Sequence, residues 1–306
     1  MISEDRIYSA ITTIYDAVLD HSLWPEALEE LGDIMATSHI GISAMNWTAE
    51  DYESIWPRTD PYWRAQYKKY WAFDNPIWTG LMKLPANVTH VLETHIPYDE
   101  FRSTPIYNEW YRPAGIGLAM MGARLQMSDS VTALFGVANA TGDDHLQSEQ
   151  VQIFDTVMPH VARAIMITNE LHVPKCVSDI TPEMLEKKGA GIVLVDSCAK
   201  VLYANSWARA MITPGCGLAL RGGCLESTDR KESLRRLITF CAKSKATLPC
   251  GLGGEMVLRR NKRQPLRVTV TPLRAYGTAF ELPWLSLQRP VALITICEFA
   301  KSKRIN

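Results

Sequence analysis

The strongest constraint in this sequence is a change of charge part-way along it. Up to His172 there are 10 Lys and Arg against 23 Asp and Glu, a net of −13; from Val173 onward there are 22 against 10, a net of +12. Such a contrast between halves calls for two domains with different surroundings. The length agrees, since 306 residues is long for one core and comfortable for two. Residues 172–181 contain Pro174 and several polar side chains, which places the divide there and gives domains of 1–172 and 173–306. A basic second half could face nucleic acid or attract the acidic first half, and charge alone does not choose.

Local patterns predict a mixed α+β chain: two α/β domains, each an antiparallel sheet flanked by helices. In the first half, helices are expected over 3–19 and from Ser22, strands over 39–47 and around 52–56, and a hairpin over 118–126 and 131–138. Short helices are expected over 76–84 and 104–116, with a strand or extended segment at 87–93. Residues 143–172 carry the longest helical signal, with Pro159 expected to kink it. In the second half, strands are expected at 190–196, 201–205, 255–260, 266–272 and 290–297, with helices at 182–187, 206–212 and 229–245. The last strand, containing VALITIC, is apolar throughout, as suits the centre of a sheet.

Residues 61–78, PYWRAQYKKYWAFDNPIW, hold the densest run of aromatic rings. Asp60 then Pro61 starts a helix, and Asn75 before Pro76 ends it. Helical steps put Trp63, Tyr67, Tyr70, Trp71 and Asp74 on one face and Arg64, Lys68 and Lys69 on the other. Two readings stand: an amphipathic helix on a core, or the wall of a site for a mostly apolar ligand with one hydrogen-bonding group. On the second reading Asp74 accepts a hydrogen bond from the ligand, and Trp63, Tyr67, Tyr70 and Trp78 line the pocket. Trp110 and Tyr111 come next, with Met120, Met121 and Phe135 of the hairpin as a floor that core packing explains equally well. The lone histidines His95 and His160 read as structural.

GIVLVDSCAKVLYANSWARAMI (191–212), strand, tight turn, strand, Asn, short helix, resembles the entry motif of PAS domains, with Asp196 before the turn and Asn205 at the helix start. IYDAVLDHSLWPEALEELG (14–32), YWAFDNPIW (70–78), STPIYNEWYRPAGI (103–116) and MPHVARAI (158–165) resemble the ligand-binding region of LuxR-type transcriptional regulators, which is GAF-like. The resemblance covers nearly the whole chain. It implies an effector sensor, a homodimer, and contact with DNA only through a helix-turn-helix domain that would follow residue 306. It also places the 104–116 helix, with Trp110 and Tyr111, over the effector cavity. A reader-less sensor acting through protein–protein pairing is the alternative. Tyr70 and Asp74 keep the tyrosine–aspartate step of the family's acyl-homoserine-lactone receptors, but Asn75 is inserted before Pro76. Trp63 and Tyr67 also sit closer to Asp74 than in those receptors, so a lactone is not the favoured effector.

Other functions find no support in the residues. There is no GxSxG, P-loop, HExxH or strand-borne GxGxxG, so no enzyme and no cofactor are expected. GLGGE (251–255) precedes a strand rather than a helix, and RRNKR (259–263) reads as a solvated turn. Seven cysteines without CxxC spacing suggest reduced thiols rather than disulfides or a metal framework. No apolar run reaches the roughly 18 residues of a membrane span, and the acidic N-terminus lacks a signal-peptide core, so the cytoplasm is the expected compartment.

Overall fold

Strand β1 (His39–Asn46) is buried at all eight positions. A strand like that needs cover on both faces of its sheet, and the first half of the chain supplies it. The computed structural model describes residues 4–128, 131–178, 189–213, 215–228, 231–243, 254–260, 263–273, 282–287 and 291–298. The helix expected at 182–187 lies outside them, as do residues 251–253 and 261–262 of the two loops singled out above. The chain divides into a first unit, Met1–Glu170 with Thr278–Leu287, and a second, Leu171–Gly277 with Gln288–Asn306. Both are α+β, with antiparallel sheets flanked by helices.

In the first unit, α1 (Glu4–Leu19) and α2 (Trp24–Ile34) precede β1, and β2 (Asp51–Ile55) follows it. Helices α3 (Pro61–Gln66), α4 (Pro76–Leu81) and α5 (Tyr98–Arg102) lie between β2 and β4 (Ile116–Gln126), with the short β3 (Thr89–Val91) among them. Strand β5 (Val131–Ala140) and helix α6 (Ser148–Ser178) complete the set. The sheet runs β2-β1-β5-β4-β3, antiparallel throughout.

One sheet face packs on α1, α2 and α6. Ile14, Leu28, Leu31, Phe154, Val157, Val161 and Ile165 meet Ile40, Ile42, Ala133 and Phe135 there. Phe135 and Phe154 stack with centroids 4.8 Å apart and planes 8° off parallel. Helix α6 starts later than its apolar pattern suggested because the polar groups before it are used elsewhere. Asn139 donates to the Asp143 carboxylate at 3.0 Å and to the His145 carbonyl at 3.2 Å, while Arg102 binds Asp144 at 2.8 Å. At its other end the helix continues through Pro174 to Ser178.

A segment from the second half of the sequence belongs to this same core. The helical turn Pro283–Ser286 brings Trp284 against Trp24, edge to face at 5.2 Å, and both indoles are fully buried. Asn46 donates to the Leu287 carbonyl at 3.5 Å.

The second unit has its own sheet, β10-β11-β12-β6-β7, built from β6 (Gly191–Val195), β7 (Val201–Ala204), β10 (Gly254–Arg260), β11 (Arg263–Pro272) and β12 (Ala292–Glu298). A separate hairpin, β8 (Leu218–Arg221) and β9 (Cys224–Ser227), stands beside it. Leaving that hairpin aside, both large sheets carry their strands in the same order: second, first, fifth, fourth, third. VALITIC supplies β12, the central strand. The buried Asp196 carboxylate closes the β6–β7 turn, accepting from Cys198 N at 2.8 Å and Lys200 N at 2.9 Å. Ala199 takes a left-handed conformation there (φ 65°). Asn205 caps the helix Ser206–Met211 by accepting from Ala208 N at 2.8 Å. It also clamps β6, accepting from Ile192 N and donating to the Ala190 carbonyl, both at 3.0 Å. The helix Lys231–Lys243 lays Leu234, Ile238 and Cys241 into the core.

His39, at the start of β1, is buried and has two partners, the Thr59 hydroxyl (3.2 Å) and the Gly115 carbonyl (3.3 Å). Burial is the main cause that pushes its pKa below the usual 6.5; the Gly115 bond opposes this and nearby Arg58 adds to it. The unfolded chain therefore takes up the proton first as pH falls, so stability declines through the unfolded value of about 6.5. The melting temperature should drop between pH 7.5 and 5.5, and His39→Gln should flatten that slope.

Candidate functional site

The second sheet face is covered by residues 61–116, and here an aromatic cavity forms. Asp60 starts α3 as read from sequence, its carboxylate accepting from Tyr62 N at 2.7 Å with Pro61 at the first helical position. The helix does not continue regularly. It passes into a π turn, Tyr67–Trp71, in which Ala72 N bonds the Tyr67 carbonyl at 3.0 Å. A second π turn, Tyr107–Tyr111, closes in the same way, Arg112 N to the Tyr107 carbonyl at 2.9 Å. Each inserts one residue into the helical repeat, a feature frequent at functional sites.

The two turns face each other across packed rings. Tyr67 meets Trp110 at 4.6 Å and Tyr52 at 5.1 Å, and Tyr111 packs on Trp110 at 4.7 Å and on Phe101 at 5.2 Å. Between these rings and the sheet lies a cavity of about 100 Å³. Tyr52, Trp56, Tyr67, Trp78, Trp110, Tyr111, Met120 and Leu134 are among its lining residues. The sheet allows this approach because small residues align across it: Gly41 pairs with Gly136, which pairs with Gly122. A methyl group on Gly41 would overlap the Ile55 carbonyl and the Trp56 indole.

The polar centre of the site is Asn75. It is buried, and its side-chain oxygen accepts from Ile77 N at 2.9 Å, capping α4. That bond fixes the amide orientation, so its nitrogen donates to the hydroxyls of Tyr67 (2.8 Å) and Tyr111 (2.9 Å). Trp78 Nε1 also donates to the Tyr67 hydroxyl, at 3.2 Å. A second polar group sits near β1 and β2, where Trp56 Nε1 donates to the Ser43 hydroxyl and that hydroxyl bonds the Tyr52 phenol, both at 2.9 Å. Burial, above all, raises the pKa of Tyr67 and Tyr111 well above the usual 10.0 and that of Tyr52 to about 12, so all three phenols keep their protons.

Of the residues singled out from sequence, Tyr67, Trp78, Trp110, Tyr111 and Met120 line the cavity, and so does Met121. Trp63, Tyr70, Asp74 and Phe135 do not. Trp63 is half-buried beside it, its carbonyl accepting from Trp110 Nε1 at 2.7 Å. Tyr70 is 56% exposed and Asp74 lies in an exposed turn, because the π turn shifts the helical phase after Tyr67. Phe135 points to the other face, as strand alternation requires once Leu134 and Gly136 face the cavity. Conversely Arg64, assigned by a regular helix to the outer side with Lys68, lines the cavity. His95 lines it also, whereas His160 lies elsewhere, bonded to the Tyr15 hydroxyl at 3.2 Å. The sequence marks Asn75 only as a helix end, and its one further signal is its insertion before Pro76.

Among the described residues no cluster of side chains is arranged to hold a metal ion, and no helix is long and apolar enough to cross a membrane. No protein-family model matches the chain, and no curated protein does. Solved structures do resemble it. The ligand-binding domain of VqsR from Pseudomonas aeruginosa is 12% identical over 54% of this chain and 96% of that one, with a TM-score of 0.44. CepR2 from Burkholderia cenocepacia, an N-acylhomoserine-lactone-dependent LuxR-family transcription factor, is 12% identical over 54% and 98%, TM-score 0.40. The phycoerythrobilin-bound GAF domain of a cyanobacterial phytochrome is 12% identical over 54% and 97%, TM-score 0.39.

Replacing Asn75 by Ala would leave Ile77 N and the Tyr111 phenol without that partner and the Tyr67 phenol with Trp78 alone, a loss of about 2–3 kcal/mol. Asp74→Asn, on the exposed turn, should stay within about 0.5 kcal/mol of wild type. Urea unfolding of the two variants checks this ordering.

Proposed function

We propose that the chain is the effector-sensing region of a LuxR-type transcriptional regulator, and that the aromatic cavity of the first unit receives the effector. The observation that carries this reading is the cavity itself: a concave, mostly apolar space with a few convergent polar groups, the usual build of a small-molecule site. The effector is a small, largely apolar or aromatic molecule. The second unit takes the part of the PAS-like domain in this reading, supported by the Asp196 and Asn205 contacts at the positions that suggested it.

Strand β5 gives the site a route outward within the first unit. Leu134, Gly136 and Ala138 line the cavity, while Phe135 between them stacks on Phe154 of α6. A ligand that displaces the cavity wall therefore bears on α6 through one strand. We take the output to be a dimer or domain rearrangement passed to a DNA-binding domain, driven by the ligand's preference for one arrangement over another.

A thermal-shift screen of aromatic acids, steroids and acyl lactones tests the site. At least one class should raise the melting temperature of wild type, by mass action on the folded state. Met120→Trp, which fills the cavity, should abolish that shift. A shift that survives the filling substitution would place binding elsewhere.

A further inference from the structure

The cavity offers hydrogen-bond donors and a positive charge but no carboxylate. Its lining contains Arg64, His90 and His95 and, among the described residues, no Asp or Glu. This is unexpected in a half-chain with a net charge of −13. Arg64 Nε is buried with no hydrogen-bond partner among the described residues. Three other arginines of the unit have partners: Arg58 with Asp33 and the Thr37 carbonyl, Arg102 with Asp144, and Arg124, whose Nε is likewise buried without a hydrogen-bond partner among the described residues, with the Leu84 carbonyl. Lys68, one turn on from Arg64, pairs with Glu53. Arg64 is half-buried overall, so its guanidinium is partly desolvated, and an anion in the cavity would complete the Nε that has no partner among the described residues.

The phenols point the same way. Tyr67 accepts from both Asn75 and Trp78, and Tyr111 accepts from Asn75. Each phenol must then spend its own proton as a donor, and both line the cavity. Arg64 and Tyr67, three residues apart, both line the cavity, although a regular helix would send Arg64 outward. Phenol protons and a guanidinium lining one cavity favour a ligand group that accepts hydrogen bonds.

Resting on the reading that this cavity is an effector site, we infer that its ligand is an anion: a monocarboxylate with an apolar or aromatic body. The carboxylate meets Arg64 and the protons of Tyr67 and Tyr111, and the body lies among Trp78, Trp110 and Met120. Arg and carboxylate form charge-assisted, often bidentate hydrogen bonds, stronger than those to a neutral carbonyl.

The test compares acids with their neutral twins. Octanoate, decanoate, 3-phenylpropanoate and 4-phenylbutanoate, and the primary amide of each, are titrated into wild-type protein at pH 7.5 by calorimetry and thermal shift. At least one acid should bind, and at least about tenfold more tightly than its amide. Arg64→Gln should erase that preference, and Arg64→Lys should keep part of it. Amides that bind as tightly as acids to wild type, a comparison that needs no variant, overturn the anion while leaving the effector site standing. A preference unchanged in Arg64→Gln removes Arg64 from the site and overturns the inference likewise. No binding by any acid overturns the anion, while the effector site stands or falls by the wider thermal-shift screen.

Discussion

A sheet whose central strands are buried on both faces must find two covers. In this chain the two are made differently. Long helices with aliphatic faces cover one side and leave a filled core around Phe135 and Phe154. The other side is closed by short helices, two π turns and a collection of tyrosines and tryptophans, which do not fill it. Rings are large and rigid, and hydroxyl and indole groups among them have to be satisfied. The Asn75 amide does this at the centre, holding Tyr67 and Tyr111 while its oxygen caps α4. The cavity follows from that arrangement: rings held apart by hydrogen bonds cannot collapse as an aliphatic core would.

The same economy of contacts links the site to the rest of the first unit. Glycines at 41, 122 and 136 let the Trp56 indole and the cavity approach the sheet, and β5 divides its residues between cavity and α6. A change on one face of β5 is therefore felt on the other. Trp284, reached only after most of the second unit's sequence has passed, seals the helical face against Trp24.

Much of this was legible in the sequence. The α+β class, the strands of both sheets, the Asp60–Pro61 start, and Asp196 and Asn205 at a turn and a cap follow from patterns with local causes. The six aromatic and Met positions that line the cavity were within reach for the same reason. What was not legible depends on contacts between distant residues or on irregular backbone. A regular helix puts Tyr70 and Asp74 with Tyr67 and sends Arg64 outward; a π turn, which no pattern here announces, turns Tyr70 and Asp74 out. Asn75 looks like a helix stop until the phenols it binds, one of them 36 residues away, are known. The part played by Trp284 could not be read at all, since its partner is 260 positions earlier.

The central claim is that the ring-lined cavity, and not the exposed aromatic surface of α3, receives the ligand. Photo-cross-linking with a diazirine-bearing alkyl or aryl probe, mapped by mass spectrometry, tests it most directly. Labels should fall on cavity residues such as Tyr52, Trp78, Trp110 and Met120. Labels concentrated on exposed Tyr62 and Tyr70, or in the second unit, would contradict it.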